Sequence, residues 1–411
     1  MTHMVSTIDV HKKILAVVAA DTAQEGEVQF VRRKFGARAG DLRVLSAWLT
    51  ELEVKEVVME STAQYWKPVW QTLEEQEFHL ELAQAQSNRG PKGRKSDFRD
   101  AERLWRRYDA DELILSYVPD PEQRIWRTQS RTRMRWTRDK SRLQNRLEAL
   151  LEEMGIKLSG VVSDLLGVSS TRMLRGVADG ETDPQRLAEM ADPNLHATKE
   201  ELCDALHAVS KLDPRYRFVL KQFLDRLDLN ERQSQELKEE LAKSLKPHAD
   251  PVERVAEIPG MGTDSAQQSI AEIGPQAEKF DSAADLASWV GVCPGENVSA
   301  EESSSDRSPK GNEAMRRILD QAANAAVKAK GTVFEARYRR IRGRDPKKHG
   351  VAIWAVAHHI CRVIWKILHD GVRYEERGGQ RDPRAVKRRA TRLLRELKTL
   401  GYNVVRAEAQ A

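Results

Sequence analysis

Apolar positions alternate with polar ones in the first hundred residues, then recur every three or four residues through most of the remainder. Residues 5–10 and 14–19 read as strands joined by the short His11-Lys12-Lys13 turn, and 27–35 as a third strand, together an antiparallel meander. Residues 41–52 carry Leu42, Val44, Leu45, Trp48, Leu49 and Leu52 at helical spacing. A short buried strand at 56–60, a helix at 64–75 and a strand at 78–83 follow. A basic loop punctuated by Gly and Pro, 87–94, leads into a helix starting near Asp97, with Ser96 as its N-cap. Three strands, then helix, strand, helix, strand and helix, predict a mixed α/β sheet.

Past Arg124 the pattern is almost wholly helical. Leu220, Phe223, Leu227, Leu237 and Leu241 keep heptad spacing with Asn230 and Ser234 as polar members. That predicts a coiled-coil arm in which Asn230 fixes register, or else a plain helical hairpin. Pro247 and Pro251 close it. The expected domains are an α/β domain over 1–115, a basic helix with the coiled-coil or helical region over 116–250, a helical domain over 251–372 and a basic helical tail over 373–411. The tail helix, 383–400, is expected to be partly disordered when free. No repeat of solenoid period is present.

At 411 residues, two or three domains are expected, and 40% hydrophobic residues exclude wholesale disorder. Cys203, Cys293 and Cys361 are too widely spaced for a disulfide framework or a zinc knuckle and suit a reducing cytosol. Residues 1–10 lack the build of a signal peptide. The longest apolar stretch, 351–368, is interrupted by His358, His359, Arg362 and Lys366. A span needs about 20 apolar residues, so a soluble, cytoplasmic protein with no membrane partner is expected. His358 and His359 read as buried or partly satisfied histidines.

The net charge of +5 matters less than its distribution. Residues 87–107 hold eight bases against three acids, 124–146 nine against one, 328–348 nine against two, and 373–398 ten against four. Residues 181–257 reverse the balance, with 17 acids and 12 bases. Four basic blocks are the footprint of a polyanion binder. Arg124, Arg127, Arg131, Arg135, Arg138, Arg142 and Arg146 are spaced 3, 4, 4, 3, 4 and 4 apart, on one face of one helix. Like charges at that spacing repel unless an acidic partner or a phosphate backbone neutralises them. Nucleic acid is therefore favoured over a solvated surface, with Ile125, Trp136, Leu143, Leu147 and Leu150 as the face that packs on protein.

Asp9 ends the first strand and Glu60 the fourth, while Asp97 and Asp100 share one side of a helix's first turn. Acids at the ends of buried strands are costly unless paired or used. Brought to one sheet edge, the four could hold two Mg²⁺ ions about 3.5–4 Å apart, since hard oxygen donors are what Mg²⁺ prefers.

Residues 1–110, with Ile8-Asp9-Val10-His11-Lys12, Met59-Glu60-Ser61-Thr62 and Lys95-Ser96-Asp97-Phe98-Arg99-Asp100-Ala101, resemble the RuvC-like, RNase H-fold domain of DEDD transposases from bacterial insertion sequences. In that family a bridge RNA guides recombination. The resemblance resumes at about 251–370. Ile258-Pro259-Gly260-Met261-Gly262, then Ala266 and Ile270, is similar to a helix–hairpin–helix, whose glycines let backbone approach phosphate, or is a Gly-rich helix–helix turn. Gly291-Val292-Cys293-Pro294 precedes Ser299, a Ser-rich loop, Lys310-Gly311-Asn312 and a helix with Arg316 and Arg317. The family's nucleophile is a serine that forms a 5′-phosphoserine link to DNA, and the matching position is Ser299. Ala300 stands where the family usually has Gly, Glu301 and Glu302 fill a spacer that is commonly basic, and the loop is about one residue short. Ser303, Ser304, Ser305 and Ser308 therefore remain alternatives.

The resemblance implies an α/β RNase H-like (RuvC-like) domain, then a mostly helical remainder with a coiled-coil arm and a helical transposase domain. It implies a recombinase acting on donor and target DNA, with Mg²⁺ at Asp9, Glu60, Asp97 and Asp100 and a serine activated by that metal site. Gly260, Gly262, Lys310, Asn312 and Arg316 join the arginine stripe as expected nucleic-acid contacts. A guide RNA, a dimer or tetramer and a nucleoid-associated location complete the expectation. The rivals are a structure-specific nuclease using water at the same metals, and a non-catalytic nucleic-acid-binding protein.

Overall fold

Alternation along the strands sets the two faces of a five-stranded sheet. The computed structural model describes residues 3–23, 27–60, 63–85, 97–293, 311–376, 378 and 390–399, and the backbone alone at 298–299, 302–303 and 383–389. Two compact units result, Met1–Pro119 and Asp120–Ala411. In the first, β1 (Met4–Val10), β2 (Ile14–Asp21) and β3 (Val31–Gly36) form the antiparallel meander. β4 (Glu56–Glu60) and β5 (His79–Ala83) add in parallel, giving the order β3-β2-β1-β4-β5. On one face Ile8, Val10, Val57 and Met59 pack with Leu45 and Leu49 of α1 (Ala39–Glu51) and Leu73 of α2 (Trp66–Glu74). On the other, Val5, Val18 and Val58 meet Ala101, Leu104 and Trp105 of α3 (Asp97–Asp109).

The third strand begins at Val31 rather than at residue 27. Val28 and Phe30 are spent on α3 instead, with the Phe30 ring edge-on to Trp105 at 5.4 Å. α1 starts two residues earlier than its apolar pattern suggests, because Asp41 reaches back to the Arg38 amide in a capping box. Ser96, the expected cap of α3, and the basic loop at 87–94 lie outside the described residues.

The second unit opens with α4 (Pro121–Glu153), capped by Asp120, which accepts from the Gln123 amide at 2.9 Å. Short helices α5 (Val168–Asp179), α6 (Pro184–Glu189) and α7 (Lys199–Ala205) lead to α8 (Pro214–Ser244). α8 runs antiparallel to α4: Lys140 pairs with Glu231 at 2.5 Å, and Tyr216 donates to Glu153 at 2.8 Å. Leu220, Leu224 and Leu227 share a core with Leu143, Leu147 and Leu150. The heptad face of α8 is thus covered by α4 of the same chain and does not stand free as an arm. Asn230 Oδ1 and Ser234 Oγ are buried with no partner among the described residues. Ile125, assigned to the packing face of α4, is 57% exposed, and its neighbour Trp126 is buried in its place.

The remainder is α9 (Ala249–Ala256), α10 (Thr263–Ile273), α11 (Ala283–Val290), two two-residue strands β6 (Val298–Ser299) and β7 (Glu302–Ser303), α12 (Glu313–Ala326), α13 (Val333–Arg342), α14 (His349–His369) and α15 (Pro383–Thr399). By length and apolarity α14 could cross a membrane, yet it buries Ile353, Val356, Ile360, Ile364 and Leu368 inside this unit, as a core helix does.

Candidate active site

α3 is tied to β1 at two points. The Thr7 hydroxyl donates to the Ala101 carbonyl at 2.7 Å, and the Trp105 indole donates to the Val5 carbonyl at 3.2 Å. Four residues of helix advance about 6 Å and two of strand about 6.6 Å. Running antiparallel to β1, the helix keeps step with it: Trp105 lies against Val5, Ala101 against Thr7 and, one step further, Asp97 against Asp9. Asp9 shares the Val5–Thr7 parity and therefore the α3 face. The register Ile8↔Met59 sets Glu60 beside it, with the parity of Val58.

Asp9, His11 and Asp97 bring one ligand atom each within 4.8 Å of one another. His11 Nε2 lies 3.0 Å from Asp9 and 3.8 Å from Asp97, and Lys34 of β3 donates to Asp97 at 2.8 Å. Asp100 pairs with Arg103 and, like Glu60, sits outside this tight set, though both charges act on Asp9. Burial pushes the Asp9 carboxyl up, against the pull of His11, and Asp100 and Glu60 add to the rise. The Lys34 hydrogen bond holds Asp97 below the usual carboxylate range. Carboxylate oxygens gathered around a half-desolvated aspartate fit a hard divalent cation, and Lys34 now donates to Asp97 while His11 hydrogen-bonds Asp9. His11 and Lys34 carry no sequence signal beyond a turn and an edge strand.

On α4 the arginine stripe divides. Arg127 is 8% exposed and donates to the Glu272 carbonyl at 2.5 Å. Arg131 clamps the Glu272 carboxylate with two bonds of 2.7 Å. Glu272 of α10 is wholly buried, and Asn312 Nδ2 donates to it at 2.8 Å. Arg124 is half-buried, whereas Arg135, Arg138, Arg142 and Arg146 are exposed. Among these, Arg138 pairs with Glu313 at 2.7 Å and Arg142 with Asp139 at 3.1 Å. The expected single phosphate-facing stripe is thus half protein-facing, because a buried carboxylate from another helix meets its first turns.

The Gly-rich turn joins α9 to α10. Gly260 has φ +87°, and a Cβ there would come within 2.3 Å of the Ala322 carbonyl oxygen, so its close approach is to α12 of this chain. Gly262 is the N-cap of α10 and faces open space. Gly311 presses on the end of α11, where a Cβ would lie 2.2 Å from the Val290 oxygen. Asn312 caps α12 by accepting from the Met315 amide at 3.0 Å. Arg316 donates to the Gly291 carbonyl and lies over the Trp354 ring at 4.5 Å. The backbone of Ser299 pairs with Glu302 across β6 and β7. Its side chain, like Lys310, Ser304, Ser305 and Ser308, lies outside the described residues.

A carboxylate cluster at the carboxyl edge of a sheet fits a divalent cation, and likeness to known proteins gives the class. Residues 7–156, running on through α4, match a family model described as Transposase, and 252–339 match the Transposase IS116/IS110/IS902 family. A curated relative from Pseudomonas aeruginosa, "Probable family 20 transposase", is 24% identical over 282 residues, 67% of this chain and 73% of its own. Over those two segments the chain is similar to IS110/IS116 family transposases, and it is a DNA transposase/recombinase. DNA binding and a divalent metal are what that likeness implies.

Proposed function

We propose that this transposase cuts and joins DNA strands through a covalent serine–DNA phosphodiester, with Mg²⁺ at Asp9, Glu60, Asp97 and Asp100 and a structured bridge RNA selecting the sites. The observation that carries the metal assignment is the convergence of Asp9 and Asp97 with His11, with Glu60 and Asp100 close enough to act on Asp9's charge. An RNase H-like (RuvC-like) sheet is supported by the strand order and by carboxylates at the carboxyl ends of β1 and β4. Bound there, Mg²⁺ would supply Lewis-acid stabilisation of charge on the phosphoryl oxygens. Asp9, Glu60, Asp97 and Asp100 would hold the cation, in place of the contacts that His11 makes to Asp9 and Lys34 to Asp97. Ser299 Oγ attacks phosphorus, the P–O3′ bond breaks as the P–Oγ bond forms, and the hydroxyl proton passes through solvent to the departing O3′, which leaves as a 3′-hydroxyl. A 3′-hydroxyl of the other duplex then attacks the phosphoserine, restoring one phosphodiester for each one broken. Joining two duplexes takes four such cuts, which is the reason for a dimer or tetramer, in the cytoplasm and on the nucleoid.

Ser299→Ala tests this. It should assemble with DNA and RNA, because one hydroxyl adds little to phosphate-dominated binding, yet form no adduct on suicide DNA. Peptide mapping of the wild-type adduct should find Ser299. An adduct on Ser303, Ser304, Ser305 or Ser308 would move the nucleophile, and cleavage with no adduct would identify a water-using nuclease.

A further inference from the structure

Between α13 and α14 lies a cleft of about 410 Å³ lined by Arg337, His358, His359, Arg362, Trp365 and Lys366. His358, Arg362 and Lys366 stand one helical turn apart on α14, and Arg337 faces them from α13. No carboxylate lines the cleft among the described residues. Lys366 pairs outward with Asp370 at 3.3 Å, and Glu376, which acts on His359, is held by the Val333 amide at 3.0 Å and the Tyr374 hydroxyl at 2.7 Å. Arg337 Nε and His359 Nδ1 are buried without a hydrogen-bond partner among the described residues. Like charges one turn apart repel, and buried donors left unsatisfied cost free energy. A fold carries such a set when an anion completes it. Burial together with Arg340 and Arg362 lowers the Arg337 guanidinium, and burial and the arginines of the cleft lower His358 and His359, which leaves the two arginines and Lys366 as the cleft's positive charge.

The Arg362 charge acts on Cys293, the last described residue before residues 294–297 and Ser299. We propose that this cleft is a phosphate-binding pocket that grips the backbone of the DNA strand presented to Ser299, with Arg337 and Arg362 as the principal contacts. This rests on the serine assignment above for which strand is held. A phosphodiester with its flanking sugar fits the volume, Arg presents paired donors to phosphate oxygens, and the Trp365 ring offers a flat wall to the sugar.

The test uses the full chain carrying Ser299→Ala, so that binding is read without chemistry. Affinity for a fluorescein-labelled DNA duplex is measured by anisotropy across a salt series. Adding Arg337→Gln and Arg362→Gln should weaken binding and make the log K against log salt slope shallower by about two, close to 0.9 for each phosphate no longer neutralised. The same variant without DNA should melt no lower than its parent, since two uncompensated charges are gone. Arg226→Gln with Arg232→Gln, exposed on α8, removes equal formal charge and should leave the slope near its parent value. An unchanged slope in the cleft variant, an equal loss in the α8 variant, or a loss confined to structured RNA would each overturn the pocket. If wild-type protein cleaves without an adduct while the cleft result holds, only the serine assignment falls.

Discussion

Thr7 and Ala101 are 94 residues apart in sequence and joined by a 2.7 Å hydrogen bond beneath the acidic edge that holds Asp9 and Asp97. That bond, with Trp105 on Val5, fixes how far α3 slides along β1, and hence the separation of Asp9 from Asp97. Thr7→Val keeps the shape and deletes the donor. It should cost about 1–2 kcal/mol in urea unfolding and weaken Mg²⁺ binding in calorimetry, and Thr7→Ser should recover most of both. Unaltered Mg²⁺ affinity in a destabilised Thr7→Val would separate the bond from the site.

Asp9→Asn and Asp97→Asn should each abolish strand exchange, because the cation loses a charged oxygen ligand. Their consequences for the metal-free fold should differ. Asp9 is desolvated among other carboxylates, so its neutralisation leaves stability unchanged or higher. Asp97 is held by Lys34, half in solvent, so its loss costs at most about 1 kcal/mol. Strand exchange assays and unfolding curves on the same preparations check both halves, and full activity of either variant in Mg²⁺ would remove the metal assignment.

Glu272 and Arg135 should behave as opposites. Glu272→Ala leaves Arg127 and Arg131 without their shared buried partner and should destabilise by about 3–5 kcal/mol. Arg135→Gln with Arg142→Gln and Arg146→Gln should leave unfolding unaltered while flattening the salt dependence of nucleic-acid binding. Had all seven arginines faced phosphate, Arg131→Gln would join that second group. Chemical denaturation should place it with Glu272.

The histidine on α14 supplies a pH dependence. Burial and the adjacent arginines lower His359 from 6.5 to about 4. The unfolded chain therefore binds a proton more readily than the folded one through that interval. Its contribution to stability is fully present above pH 6.5 and is lost as pH falls toward 4, at no more than about 1.4 kcal/mol per pH unit. His359→Gln should flatten the unfolding free energy across that interval, measured without nucleic acid. A slope identical to wild type there would assign the acid sensitivity to other groups.

Strand parity made the α/β half readable, because Asp9 and Glu60 each stand near the end of a buried strand whose alternation sets their face. Periodicity also placed seven arginines on one side of α4, but it is blind to what lies against that side. Glu272 looks like any acid near a helix end, between Ala271 and Ile273, and only the packing of α10 on α4 reveals it as the partner of two arginines. Gly260 was legible as a special position, whereas the neighbour it admits, a helix of the same chain, is a long-range property, and the close approach at Gly311 showed only in the packing. The heptad pattern of α8 was real, and its partner proved to be α4. His11 was hidden because a histidine in a turn has no periodic context to mark it.

The Gly311 contact with the end of α11 has a bearing on how the serine segment can change. The Asn312 amide donates to the Trp289 carbonyl at 3.1 Å, so the chain leaves and re-enters the helical unit at one spot. Whatever runs between Cys293 and Gly311 hangs from a clasp whose parts all lie outside it. Closing such a span varies only with the logarithm of its length, about 0.6 kcal/mol for each doubling. Losing or gaining one residue in that span is accordingly a negligible perturbation to the frame. The two ends of that span are therefore fixed by contacts that do not depend on its length or sequence.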